Sequence, residues 1–323
     1  MLWLIAAITS PLQGAAMMRG AHGPVRGIVE SVEDLSPTFR RITFSGPELH
    51  ALATEGPFYD QRIKLILPNA AGALPRIPES EDWYQQWLAL PDDERGIMRT
   101  YSIRDLTRQD NVTRLTVDFV LHFADDGSTG PAAAWAAGAE VGSELLLVAP
   151  RHGEPQSGIE FSPGHADAVV LLGDESAAPA IARIVEDLKA STAAPRVCAY
   201  IEVPENVDQL TIDAPGNAEV TWLPRGEAQP GESLADALGW HVHDEPEASG
   251  EDADDLLWET PVFSASGEDL AEVAAPRSGT YYWIAGESGV IKGLRRFLVR
   301  EVGVDRAQVA FMGYWRHGVA MRG

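Results

Sequence analysis

With 323 residues, 48 acidic against 25 basic side chains and a formal net charge of -23, the chain is long enough for two cores, and its field repels nucleic acid and anionic membrane. That balance speaks against a nucleic-acid role. A single cysteine, Cys198, sits in the apolar run from Arg196 to Ile201 and reads as a buried small hydrophobe; one cysteine forms no intrachain disulfide and no cysteine metal cluster.

The chain opens on an apolar stretch, Met1 to Ile8, that is signal-like but lacks a basic leading region and is too short to span a membrane. Residues 1–22 are therefore expected to be an extension or the product of a start assigned upstream of Met17 or Met18. The expected location is the cytoplasm.

From Gly27 to Arg151 the apolar runs are short, rich in Val, Ile, Phe and Thr, and broken by Gly, Pro, Asn and Asp. Antiparallel strands are predicted at 40–45, 63–67, 100–103, 114–122 and 144–149, and about six such segments suit a small Greek-key β-barrel. Residues 75–96, with Trp83, Tyr84 and Trp87, read as an irregular insertion containing some helix.

Beyond Arg151 the pattern changes. Residues 167–172 form a near-continuous apolar strand, which implies a sheet covered on both faces. Helical spacing follows over 177–190, then strands at 197–202, 219–223, 281–285 and 309–314, with helices at 233–238 and 288–302. The fold class expected is thus a β-barrel at 23–155 followed by a doubly wound parallel α/β sheet domain at 156–323. In the segment 241–255 seven of fifteen residues are Asp or Glu, and it reads as a solvated loop.

Three groups of residues could carry chemistry. In the run from Arg99 to Arg104, Arg99 and Tyr101 project to one face of a strand and Ser102 to the other. A cation, a flat ring and a hydroxyl this close could grip a phosphorylated aromatic cofactor, although many half-exposed strands alternate in this way. The second group is the run from Asp118 to His122, followed by Gly130-Pro131 opening a short Ala-rich helix. A helix start binds phosphate through its backbone N–H groups, and small side chains at Ala132 and Ala133 let a pyrophosphate approach. Taken alone, this helix reads as surface structure with Trp135 packed inward. The third group is Gly173-Asp174-Glu175-Ser176 and Gly286-Glu287-Ser288, each placed between a strand and a helix, where open α/β sheets hold ligands.

The order Arg-x-Tyr-Ser, Asp-Phe-Val-Leu-His, Gly-Pro-Ala-x-x-Trp-Ala on a barrel-like half resembles the flavin domain of ferredoxin reductase-like proteins. More narrowly, it resembles the siderophore-interacting proteins, or ferric-siderophore reductases. The runs 171–181, 282–287 and 311–318 extend the resemblance to nearly the whole chain.

The resemblance implies FAD held by Arg99, Thr100, Tyr101 and Ser102, with Asp118, Phe119, Val120 and His122 lining the flavin and the adenine side, and the segment Gly130, Ala132, Ala133, Trp135 at the pyrophosphate. His122 reads better as a packing residue than as a general base. NAD(P)H would bind as co-substrate at Gly173, Asp174, Glu175, Ser176, Gly286, Glu287 and Ser288. No G-x-G-x-x-G is present there, and two carboxylates are poor neighbours for a pyrophosphate, so a ferredoxin is the alternative donor. Lys64, Arg151 and Lys292 match a basic triad that would dock an anionic ferric siderophore, with Arg295 and Arg296 as substitutes for Lys292. No metal site is expected, since iron arrives as substrate inside its chelator.

The activity implied is FAD-dependent reduction of a ferric siderophore, releasing Fe(II). The alternatives are a flavin reductase with another acceptor and a siderophore-binding protein that keeps its flavin as structure.

Overall fold

The computed structural model describes residues 23–123, 127–154, 157–191, 194–240, 258–260, 263–264 and 278–317. The expectations for 1–22 and for the acidic segment 241–255 lie outside these residues. The described chain divides between Ile159 and Glu160 into two compact units.

In the N-terminal unit, seven strands form one antiparallel sheet: β1 (Val25–Asp34), β2 (Phe39–Ser45), β3 (Arg62–Leu67), β4 (Ile97–Ser102), β5 (Asp105–Gln109), β6 (Val112–Val120) and β7 (Glu144–Val148). Their order is β4-β3-β7-β1-β2-β6-β5. The two edge strands are consecutive in the chain and joined by Ile103-Arg104. The Ile103 N–H donates to Gln61 O at 2.9 Å, continuing the pairing with β3, and the Arg104 N–H donates to Thr116 O at 2.9 Å, beginning the pairing with β6. One run of chain thus serves both edges, and the sheet rolls up into the expected barrel.

Alternation fills the interior with Ile42, Phe44, Ile63, Leu65, Leu115, Val117, Phe119, Leu145 and Leu147. The segment expected as an irregular insertion carries two short helices, α1 (Trp83–Ala89) and α2 (Asp92–Arg95). They lay Trp83 and Trp87 over Ile66, Leu146 and Val148, so β3 is covered on both faces and all six of its residues are buried. Gly96 leaves α2 at φ 69°, and a side chain there would run into the Leu67 carbonyl, so the turn into β4 requires glycine. A third helix, α3 (Pro131–Gly138), sits on the barrel through Ala132 and Ala136.

The C-terminal unit is a second seven-stranded sheet. Strands β8 (Ala168–Gly173), β9 (Arg196–Val203), β10 (Ala218–Pro224), β13 (Thr280–Glu287) and β14 (Val309–Trp315) run parallel in the order β10-β9-β8-β13-β14. Helix α4 (Ala178–Lys189) covers the face of Gly173, where an added methyl would meet Ala177 and Ile181. Helices α5 (Glu232–Leu238) and α6 (Ser288–Arg296) cover the opposite face, packing Leu234, Ile291 and Leu294 on Leu172, Ile284 and Phe311. Helices on both faces make the sheet doubly wound.

Six elements differ from expectation. β1 and β5 were not predicted as strands: Val25 and Val29 of β1 enter the core, but a register shift between Val29 and Ser31 breaks its alternation, and β5 has Leu106 as its one apolar residue. β4 begins three residues before the predicted start at Thr100. Past β14 the sheet ends in two short antiparallel strands, β11 (Trp258–Thr260) and β12 (Phe263–Ser264), so it is parallel except at this edge. The helix expected over 288–302 is α6 followed by a wider π-type turn at Phe297–Val302.

Trp87 joins packing to a hydrogen bond from its Nε1 to Arg95 O at 2.9 Å and is 2% exposed. Trp87→Ala is expected to cost about 3–5 kcal/mol in chemical denaturation, as a cavity and an orphaned carbonyl appear together.

Candidate functional site

Strand β4 carries the first cluster, and it is unusual among the barrel strands because all six of its residues are half-exposed. Tyr101 lies with its ring centroid 4.6 Å from that of Phe119, which in turn is 5.8 Å from that of Trp135; Trp135 stacks on Phe44 at 6.2 Å. This chain of rings ties β4 to β6, α3 and β2. Burial pushes the Tyr101 phenol up and lowers Arg99, whose Nη1 donates to Met98 O at 2.8 Å.

Helix α3 begins at Gly130 without a side-chain cap, so its first-turn N–H groups have no acceptor inside the helix. A methyl added to Gly130 would meet nothing within 4 Å, which leaves open space before those donors. At the other end, Arg40 Nη1 donates to Ala136 O at 2.9 Å and to Ala137 O. A cation at the C-terminus favours the dipole and anchors the helix so that its start stays exposed. The segment before α3 is pinned by the Thr129 hydroxyl, which donates to His122 O, and by a bridge between Phe123 and Thr129. A group with phosphates at one end and a flat ring system at the other fits this combination of open amides, an arginine and a half-exposed aromatic strand.

Asp118 plays another part. Its carboxylate is fully buried and accepts from Arg41 Nε at 2.7 Å and Arg41 Nη2 at 2.8 Å, with Arg104 Nε 3.5 Å away. It therefore spends these lone pairs on β2 and on the β4–β5 junction. Phe119 points inward beneath Tyr101, Val120 is half-buried, and His122 is exposed.

The basic residues divide between the units. Lys64 is 3% exposed, and its Nζ donates to Thr100 Oγ1 at 2.6 Å. Arg151 is half-buried, its guanidinium donating to Gly23 O. Lys292 lies half-buried in α6 of the C-terminal unit.

In that unit the strand order reverses between β8 and β13, and the loops leaving these two strands bring Asp174 and Glu287 together. Asp174 Oδ2 accepts from Glu287 N at 2.7 Å and from Trp315 Nε1 at 2.8 Å, while its Oδ1 accepts from Ser176 N at 2.9 Å and Ser176 Oγ at 2.5 Å. The close approach is possible because Gly286, at φ 149°, has no Cβ to strike the carboxylate. Glu287 caps α6 by accepting from Val290 N at 2.9 Å, and it also accepts from His317 N at 3.1 Å. Glu175 is fully buried against Arg225, with bonds of 2.6 and 2.8 Å.

The residues predicted for the nicotinamide thus meet at one edge of the sheet, where Asp174 and Glu287 accept from the backbone amides of Ser176, Glu287, Val290 and His317. Sequence reasoning missed Arg41, Arg104, Arg225 and Trp315. None of these pairings left a local signal: Arg41 meets Asp118 through the register of β2 on β6, and Arg225 and Trp315 reach their partners across the sheet.

Comparison with known proteins shows a match to the siderophore-interacting FAD-binding domain over residues 28–154 and to the siderophore-interacting protein family over 166–318. The chain is 26% identical to the ferric vibriobactin reductase ViuB of Vibrio cholerae over 284 residues, covering 88% of this chain and 86% of that one. It is 26% identical over 288 residues to an NADPH-dependent ferric-chelate reductase of Escherichia coli, with coverages of 88% and 89%. The crystal structure of a siderophore utilization protein from T. fusca superposes with a TM-score of 0.63 at 27% identity, covering 93% of this chain and 95% of that one.

Burial, and next the charge of Glu175, push the Asp174 carboxyl up from its ordinary 3.8 to about 7. A folded value above the unfolded one means the native state binds the extra proton, so this group's contribution to stability is full below about pH 4 and is lost as the pH rises to about 7. Stability-versus-pH curves of the wild type and Asp174→Asn should therefore diverge across that window, the variant lacking the decline.

Proposed function

We propose, from the premise that the chain belongs to the siderophore-interacting protein family, that it is an FAD-dependent oxidoreductase that reduces the ferric iron of a siderophore and releases it as Fe(II). The observation that carries the reading is the pairing, on one barrel, of the half-exposed strand β4 with the uncapped start of α3.

On this reading Arg99 and the amides of Ala132 and Ala133 would hold the pyrophosphate, with Gly130 leaving room for it. Tyr101 would lie along the isoalloxazine, supported from beneath by Phe119 and Trp135, with Thr100 and Ser102 presenting hydroxyls at its edge and Val120 and His122 flanking it. A bound flavin accepts electrons in pairs and gives them up singly, a division that ferric iron needs and a nicotinamide cannot make alone. The protein's share is positioning and electrostatics.

The acceptor follows from the family and from the reductases to which the chain is similar. Lys64 and Arg151, in the N-terminal unit, are the cations proposed to receive an anionic ferric chelate against a molecular charge of -23. NADPH is the proposed donor, held at Gly173, Ser176, Gly286 and Ser288. The internal pairing of Asp174, Glu175 and Glu287 supports a loose dinucleotide site, and a ferredoxin donor is the second reading for the same reason. Among the described residues no helix is long and apolar enough to cross a membrane, and we place the reaction in the cytoplasm.

The test is anaerobic spectroscopy of the FAD-loaded protein. NADPH should bleach the flavin bands, and a ferric tricatecholate should restore them as a ferrous-specific chelator colours. Bands that bleach but do not return with ferric chelate would leave a flavin reductase or a binding protein instead. Arg99→Ala should weaken FAD binding roughly 10- to 100-fold, the loss of a charged hydrogen bond worth about 1.5–3 kcal/mol. Unchanged FAD affinity would remove Arg99 from the site.

A further inference from the structure

Strand β4 and the start of α3 provide for the flavin ring and the phosphates of FAD, and the adenosine half of the dinucleotide needs a surface of its own. A purine base is flat, and proteins hold such a base by stacking it on an aromatic ring. The end of β6 carries one.

Phe119 of β6 lies against Tyr101, with 4.6 Å between ring centroids. The Leu121 N–H donates to Thr38 O at 2.8 Å, so the pairing with β2 continues past the end of β6. Phe123 follows, four residues and at most about 13 Å beyond Phe119 along the chain. Its side chain is 55% exposed, and His122, Gly127, Ser128 and Gly130 are exposed with it, so the approach to the ring is open.

Single exposed rings are common on protein surfaces and need no function. What sets Phe123 apart is the anchorage of its backbone. An antiparallel bridge joins it to Thr129, which puts the two Cα atoms about 5 Å apart, and the Thr129 hydroxyl donates to His122 O. Thr129 is followed by Gly130, where an added methyl would meet nothing within 4 Å. The ring is therefore fastened beside the open start of α3, on the segment that leads there from the strand beneath Tyr101.

We propose that Phe123 is the platform on which the adenine of FAD stacks, and that it thereby sets the preference of this site for FAD over FMN. The isoalloxazine lies at Tyr101, the pyrophosphate before the amides of Ala132 and Ala133, and the adenine on Phe123. FMN has the same ring system and one phosphate but no adenosine, so it gains nothing from this ring. The proposal rests on the flavin reading given above and adds to it the residue that tells a dinucleotide from a mononucleotide.

The chain has nine phenylalanines, so protein made with fluorinated phenylalanine gives few resonances, and that of Phe123 is the one missing from Phe123→Leu. In flavin-free protein this resonance should move on addition of FAD or of excess ADP, which has the adenosine and phosphates without the flavin. It should stay in place with FMN. Phe123→Ala should weaken FAD binding on the order of 10- to 100-fold, the loss of one base–ring stack, and leave FMN affinity unchanged. Phe123→Trp should keep FAD affinity at the wild-type level or raise it.

A Phe123 resonance that FMN moves as far as FAD does, or a Phe123→Ala protein with wild-type FAD affinity, overturns the proposal. Equal losses of FAD and FMN affinity also overturn it, since they assign the ring to the folding of the site rather than to adenosine. Wild-type protein that binds both flavins while the Phe123 resonance stays still refutes the adenine platform alone. Wild-type protein that binds neither FAD nor FMN refutes the flavin reading itself, and the role of Phe123 with it.

Discussion

The N-terminal unit depends on one buried carboxylate. Asp118 sits on β6 facing away from the apolar interior, bound twice by Arg41 of β2 and approached by Arg104 at the β4–β5 junction. That junction is where a single run of chain closes the sheet, so the carboxylate holds the barrel shut at the strand that carries Arg99, Tyr101 and Ser102. Breaking such a pair by removing one partner costs about 3–5 kcal/mol, because the remaining charge stays buried. The outer charges thus do what the inner ring contacts of Tyr101, Phe119 and Trp135 do from the other side: they fix β4 from both faces while leaving it half-exposed.

The C-terminal unit uses buried carboxylates differently. Asp174 draws the ends of β8, β13 and β14 together through Glu287 N and Trp315 Nε1, and Glu175 is neutralised by Arg225. In an open α/β sheet this edge is the usual place for a dinucleotide, whose phosphates take backbone amides at helix starts. Here Glu287 already caps α6. The same groups thus hold the ends of three strands and the start of a helix together.

Much of this was legible in the sequence. The change at residue 151 from short, broken apolar runs to continuous ones gave the two fold classes, because burial on one face or on both writes itself into local hydropathy. The strand at 100–103 and the short helix opened by Gly130-Pro131 were legible for a similar reason, since each is written in neighbouring residues. β1 and β5 were not, since a register shift between Val29 and Ser31 breaks the alternation of the one and Leu106 is the only apolar residue of the other. The pairing of Asp118 was not legible, because Arg41 and Arg104 are 77 and 14 positions away in sequence.

The most direct test of this account is hydrogen exchange at the Arg104 amide, read with FAD affinity, in Asp118→Asn protein. The account predicts that protection of this amide, bonded to Thr116 O, falls together with FAD affinity, because the barrel loosens where β4 is anchored. Weakened FAD binding with the Arg104 amide still fully protected would contradict it, and would return Asp118 to direct contact with the cofactor.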